Sequence, residues 1–419
     1  MGLDDFNLCV NGTFFSGQSV SGFIKLSCGT ELTNIKFLQV KIIGFAHVYW
    51  TEKKLKPGRN RNSYNRYYIE KHENQLDLYS SKKILHEGNL SEGQHEIPFE
   101  FDLPMDLPCS FEGQYGHVRY YVEAKLERSG MFTPTKRKRQ YVTVLSLVDL
   151  NKIPKSDQPI TISTEKEFSN TCCCIDGGFV TLELNLPRGC FTPGEFIPVT
   201  AQIENHSDRT ISRTSARFIM DVVYHDHGGN IIKKSQVFLA RHQGKIRGGD
   251  NYAWPELQLC TQSAGSICFS KPKWKEVSHI PPLPPSSIPG YNFCNIIECT
   301  YRLEFNVYVR GINRPFISIS GPITIGSVPF RATLASSNNN AKWGEIDEAR
   351  SYSPNAPPLR LQDFHDLPPP SYEQATQMEG TAQRIMPRTN DTKDTQANWA
   401  FRPMYPIWAP RLVNTSVLS

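Results

Sequence analysis

A two-residue hydrophobic period runs through this chain from about residue 5 to residue 330, and it restricts the fold more than any other feature. Leu38, Val40 and Ile42 fall on one side of a segment whose other side carries Gln39 and Lys41. Ile97, Phe99, Phe101 and Leu103 alternate with Pro98, Glu100 and Asp102, and Val118, Tyr120, Val122, Ala124 and Leu126 with Arg119, Tyr121, Glu123 and Lys125. The period returns at 180–186, 197–203 and 301–309. Successive side chains of a strand point to opposite faces, so each run predicts a strand with one face on a core and one in water. Asn-Gly, Ser-Gly, Pro-Gly and Gly-Gly pairs punctuate the runs. No amphipathic helical period precedes residue 340. Many short antiparallel strands of this kind build sandwiches or barrels, so the fold class is all-β.

The pattern occurs twice. Phe14, Phe15, Ser16, Gly17 and Gln18 precede the strand expected at 20–28, as Cys190, Phe191, Thr192, Pro193, Gly194 and Glu195 precede the one at 196–204. Later in each half a proline-rich link, LPMDLPCSFEG or IPPLPPSSIPG, leads into the strongest run. Two similar halves of about 150 residues predict two antiparallel β-sandwich lobes. We place them at 1–150 and 179–331, joined by a hinge at 151–178 that Pro154 and Pro159 stiffen. The stretch 245–290 reads as a strand, an inserted loop and a proline-rich link. From residue 332 to 419 the alternation stops and Pro, Asn, Thr, Gln and Ser take over. Such a composition buries too little apolar surface to offset ordering entropy, so this segment is expected to be a disordered tail.

Composition narrows the function classes. Forty-six basic and 41 acidic residues leave a net charge of +5, which does not point to nucleic acid. Two basic clusters stand out: Lys53, Lys54, Lys56, Arg59, Arg61 and Arg66 around one loop, and the run Lys136 to Arg139. They are solvated charges or, as a candidate role, peripheral contacts to an acidic membrane surface. The first residues lack the basic and apolar regions of a secretory signal, and the chain is expected to be cytoplasmic. The 11 cysteines are irregularly spaced and are read as reduced, mostly buried thiols.

Within the tail lies DLPPPSYEQATQ. Prolines 368 to 370 pre-set a polyproline II conformation, so docking costs little backbone entropy. Pro369 and Pro370 then suit an aromatic groove and Tyr372 a neighbouring pocket, which is how WW domains read proline-rich peptides. A chain of this composition holds about 0.09 such matches by chance. A degenerate copy, Arg402-Pro403-Met404-Tyr405, follows some thirty residues later and keeps the second proline and the tyrosine. Pro403 and Tyr405 are therefore candidates for a second WW site that adds avidity.

The segments CSFEGQYGHVRYYVEAKL and CFTPGEFIPVTAQIENHSDR, the cluster Cys172-Cys173-Cys174 and the PPSY tail together resemble the alpha-arrestins, the arrestin domain-containing family that includes thioredoxin-interacting protein. The resemblance spans about residues 5–330 plus the tail motif. It implies two arrestin-like lobes and an adaptor that links membrane cargo, such as receptors and transporters, to HECT-type ubiquitin ligases through PPxY–WW contacts. It also implies recruitment to the plasma membrane and endosomes for endocytic trafficking. Pro369, Pro370 and Tyr372 carry over directly, whereas Arg402 breaks the pattern at the second copy. Thioredoxin-interacting protein has its thioredoxin-pairing cysteine three residues before a tryptophan. Aligning that tryptophan on Trp254 puts Asn251 in the cysteine's place, so no mixed disulfide of that kind is expected. The alternative reading keeps the fold and drops the ligase, leaving an endosomal cargo-sorting scaffold.

No catalytic or cofactor motif is found: G-x-S-x-G, HExxH, Walker A and GxGxxG are all absent from the sequence. No metal site is expected. Cys172 to Cys174 are consecutive where zinc pairs need a gap, Cys294 and Cys299 stand at an odd spacing, and His225 and His227 lack a third ligand. Palmitoylation remains an alternative role for Cys172 to Cys174.

Overall fold

The computed structural model describes residues 3–10, 12–56, 66–130, 133–168, 177–193, 195–260 and 283–330, together with Phe401, Pro403 and Tyr405. The first half holds strands β1 (Leu3–Cys9), β2 (Thr13–Phe15), β3 (Ser19–Cys28), β4 (Leu32–Lys56), β5 (Arg66–Leu90), β6 (Gly93–Asp102), β7 (Phe111–Glu112), β8 (Gly116–Arg128) and β9 (Lys136–Leu145). The second holds β10 (Ile160–Glu167), β11 (Phe179–Leu186), β12 (Cys190–Phe191), β13 (Phe196–His206), β14 (Ile211–His225), β15 (Ile231–Gln243), β16 (Asn251–Cys260), β17 (Ile297–Val309) and β18 (Ile317–Ile325). Among the described residues the only helix is a short 3-10 turn at Leu150–Lys152, capped by the Asp149 side chain.

Each lobe has two sheets, and their orders match except for β10, an added edge strand in the second lobe. In the first, β1-β3-β6 faces β2-β9-β8-β4-β5; in the second, β10-β11-β13-β16 faces β12-β18-β17-β14-β15. The short strands that open the aromatic-turn steps, β2 and β12, are both parallel to the last long strand of their lobe. The duplication extends to single hydrogen bonds. The Ser110 N–H donates to the Val144 carbonyl while the Val144 N–H donates to Ser110 Oγ; Ser286 and Ile325 repeat this exchange. The buried Tyr120 hydroxyl donates to the Pro108 carbonyl at 2.7 Å, and Tyr301 does the same to Pro284 at 2.6 Å. Each proline-rich link is thus pinned by the strand it introduces. Proline lacks an N–H and cannot join a sheet ladder, so a side-chain donor satisfies its buried carbonyl instead.

The alternating residues meet as expected. Leu38, Val40, Ile42, Val118, Tyr120, Val122, Ala124 and Leu126 are buried on one face, and Leu303, Phe305, Val307 and Val309 on the other lobe's. Gly44 sits where the β4–β5 register shifts, and a Cβ there would lie 2.3 Å from the Tyr120 ring. The missing side chain is what admits the tyrosine.

The linker expectation needs correction. Residues 160–167, assigned to a hinge, form β10, which pairs with β11 along its length from Ile160 opposite Leu186 to Glu167 opposite Phe179. Ile160 and Ile162 alternate with exposed polar residues, but the polar face of this sheet edge hid the strand. The lobes also hydrogen-bond to each other beside the link. The Val148 N–H donates to Ser327 Oγ at 2.7 Å, Ser327 Oγ donates to the Ser146 carbonyl, and Asp149 bridges Val328 in parallel. Buried apolar residues of both lobes form one connected core. Residues 169–176, with the cysteine cluster, lie outside the described residues.

Candidate recognition sites

Pro369, Pro370 and Tyr372 lie outside the described residues, as does the rest of 331–400. The second motif does not. The Tyr405 hydroxyl donates to the Ser110 carbonyl at 2.7 Å, and the Phe401 ring lies 5.4 Å from that of Tyr141 at an angle of 40°. Both partners belong to the first lobe: Ser110 to the link that Tyr120 pins, Tyr141 to β9. The Tyr405 ring is partly exposed, but its hydroxyl reaches inside, and burial pushes the phenol far above its ordinary range, with Cys109, Cys299 and Glu112 adding to the effect. Cys299 comes from the second lobe, so the phenol ends where the lobes meet.

This placement gives Tyr405 a partner within the chain, with which a WW domain at Pro403 and Tyr405 would have to compete. The phenol that a WW pocket would receive is held against the chain's own body. It also limits the expectation of a disordered tail, because the chain is placed again at Phe401, Pro403 and Tyr405. A signal was present in the sequence: Phe401, Pro403 and Tyr405 occupy alternate positions, the same period that marked the strands.

Cys109 and Cys299 mark this place chemically. Burial pushes each thiol up to about 12, and a thiol reacts as its thiolate. In the native chain Cys109 and Cys299 should stay unmodified by iodoacetamide near neutral pH, while the half-buried Cys9 reacts first among the described cysteines. Tyr405→Ala should speed modification of Cys109. Peptide mass mapping over a time course reads both outcomes, and equal rates for Cys9 and Cys109 would contradict the burial.

The lobes also touch through side chains that the sequence gave no reason to pair. His72 Nδ1 lies 2.7 Å from Asp226 Oδ2, and Asp226 is held by Asn230, whose N–H and amide donate at 2.6 and 2.7 Å. Burial would raise the Asp226 carboxyl, but the hydrogen bonds from Asn230 and His72 win and hold it at about 2. Tyr115 and Tyr224 meet edge to face at 5.7 Å, and a Cβ on Gly113 would lie 2.2 Å from the Tyr224 hydroxyl. His225 and Asp226 therefore serve the lobe contact, with the His225 carbonyl accepting from Asn74 at 3.3 Å.

Of the basic clusters, Arg59 and Arg61 lie outside the described residues. In the Lys136–Arg139 run, Arg139 pairs with Glu123 at 3.1 Å and stacks over Tyr121. Asn251, at the aligned cysteine position, opens β16 opposite Glu204.

Comparison with known families gives matches over both halves. The arrestin (or S-antigen) N-terminal domain matches residues 6–151, and the arrestin C-terminal domain residues 176–330. Arrestin domain-containing protein 17 of Caenorhabditis elegans is 29% identical over 348 residues, which cover 79% of this chain and 72% of that protein. Arrestin domain-containing protein 4 of Mus musculus is 29% identical over 305 residues, 70% of this chain and 65% of its own length. Arrestin domain-containing protein 1 of Rattus norvegicus is 27% identical over 254 residues, and the match spans 51% of its length.

Proposed function

Since the chain belongs to the arrestin family, as an alpha-arrestin with both domains, we propose that it is a non-catalytic adaptor bringing a WW-domain, HECT-type ubiquitin ligase to membrane-protein cargo. The observation that carries this reading is the order of parts in one chain: a two-lobed arrestin body followed by Pro369-Pro370-Ser371-Tyr372. The body holds the cytosolic tail of a receptor or transporter, and the motif holds the ligase. Sharing one chain raises the ligase's local concentration at cargo lysines.

Membrane recruitment has its own support. Toward the far end of the β4–β5 hairpin, Leu55, Tyr67, Tyr68 and Ile69 are exposed, Ile69 to 67%. Exposed Lys53 lies over the Tyr67 ring at 4.4 Å, and Lys71 is exposed nearby. Apolar and aromatic groups beside lysines suit the interface of an anionic leaflet. On this reading the protein works in the cytoplasm and at the plasma membrane and endosomes.

Capture from cell extract on the wild-type chain and on Tyr372→Ala, followed by mass spectrometry, tests the proposal. HECT-type ligases should be retained by the first and lost from the second, with cargo retained by both. Ligase retention on both would overturn the role of Tyr372, and ligase absent from both would leave the sorting scaffold.

A further inference from the structure

Strands β4 and β5 set Glu52 directly opposite Glu70, and Trp50 directly opposite His72. Like charges facing each other on a sheet repel, so this pairing needs a cation. Lys54 supplies one, bonding Glu70 and lying 4.0 Å from Glu52. The balance still falls short. Glu52, Glu70 and Asp226 bring three carboxylates to one lysine, with the His72 ring between them.

His72 shows where further charge belongs. Its side chain is 3% exposed, and its Nδ1 is engaged by Asp226. The opposite nitrogen, Nε2, is buried and makes no hydrogen bond among the described residues. It points to the two carboxylates, 3.4 Å from Glu70 Oε2 and 3.9 Å from Glu52 Oε2, and Glu70 Oε2 is also buried. In the neutral imidazole, Nδ1–H donated to Asp226 leaves a lone pair on Nε2. The donor atoms of Glu52, Glu70 and His72 lie within 4.8 Å of one another. Bonds of about 2.0–2.2 Å in a tetrahedral site separate ligand atoms by about 3.3–3.6 Å. The two spacings from His72 Nε2, 3.4 and 3.9 Å, therefore lie within a few tenths of an ångström of such a site, and the two carboxylates close the remaining gap, at most about 1.2–1.5 Å, by side-chain rotation.

We propose that Glu52, Glu70 and His72 bind a divalent transition-metal ion of the zinc class, with Asp226 of the second lobe as the outer partner that orients the imidazole. A carboxylate behind a ligating histidine fixes its tautomer and raises its basicity. Here that carboxylate belongs to the other lobe, so the ion reinforces the contact between lobes. Lys54 gives up its place between the carboxylates when the ion binds.

Co2+ added to the full-length chain is a suitable probe, because Trp50 stacks on His72 at 4.8 Å and 11° and its fluorescence reports a paramagnetic ion there. The chain's cysteines are the competing sites, and thiolate–cobalt binding shows itself by charge-transfer absorption. Co2+ should quench Trp50 without that absorption, and Trp50→Phe should remove the quenched component. Zn2+ should displace Co2+, and Ca2+ should not. Glu70→Gln and His72→Ala should abolish the quenching. Asp226→Asn should weaken binding 10- to 100-fold. Lys54→Ala, which leaves every ligand in place, should tighten it. Absence of quenching in both the wild type and Lys54→Ala would overturn the proposal. Quenching unchanged in Glu70→Gln would place the ion elsewhere and overturn it equally.

Discussion

Alanine at Pro370 or at Tyr372 is expected to weaken capture of an isolated WW domain by the full-length chain by about 30-fold or more. The two residues do different work. Pro370 presents a rigid ring whose backbone needs little ordering, and Tyr372 fills a pocket with an aromatic ring whose hydroxyl remains near polar groups. Buried aromatic anchors of this kind cost about 2 kcal/mol or more on truncation, and about 1.4 kcal/mol is a factor of ten. Tyr405→Ala is expected to leave the affinity for a single WW domain within about twofold, because that phenol already donates to the Ser110 carbonyl. Titration calorimetry with one purified WW domain separates these outcomes. Equal losses in Tyr372→Ala and Tyr405→Ala would mean that both motifs serve the ligase.

The second large effect concerns the body. Tyr120 is fully buried, and its hydroxyl satisfies the Pro108 carbonyl. Tyr120→Phe keeps the ring and leaves that carbonyl without its donor, at a cost of about 1–3 kcal/mol. Tyr120→Ala also empties the space that Gly44 keeps clear, and about 3–5 kcal/mol is expected, as for other large-to-small core changes. Tyr301→Phe should repeat the smaller effect in the second lobe, because it orphans the Pro284 carbonyl in the same way. Urea unfolding midpoints at unchanged slope measure the three variants. If Tyr120→Phe matched the wild type, the pinning of the proline-rich links would carry no energy. Tyr120→Ala also bears on tail docking, because the link it loosens contains Ser110.

The strands and the two-fold repeat were legible because burial on one face imposes a period that local sequence cannot hide. Val118 to Leu126 and Tyr301 to Val309 are examples. Strand β10 escaped notice because its neighbours include Pro154 and Pro159 and its outward face is polar, which resembles a linker until pairing with β11 is known. The contacts between lobes were not legible at all. His72 and Asp226 are 154 positions apart, and Glu52 and Glu70 face each other only through the hairpin register. His225 and His227 were set aside as ligands for want of a third, and His72, which lies beside two carboxylates, drew no attention. The docked motif was half legible: Tyr405 was singled out, but its partner was sought in another protein rather than in Ser110.

The docking of Tyr405 changes how far the ligase motif can travel. Phe330 is the last described residue before the tail, and the 42 residues from it to Tyr372 bound their separation at about 140 Å, at about 3.4 Å per residue. Fixing Phe401 adds a second moorage only 29 residues away, and the bound from that side drops to about 100 Å. A segment moored at both ends is a closed loop, and its working radius is set by the shorter arm. Under the proposed function, substrate lysines beyond that radius would come into range only when the phenol leaves its seat, so one hydrogen bond to a backbone carbonyl would help determine which lysines a ligase could reach.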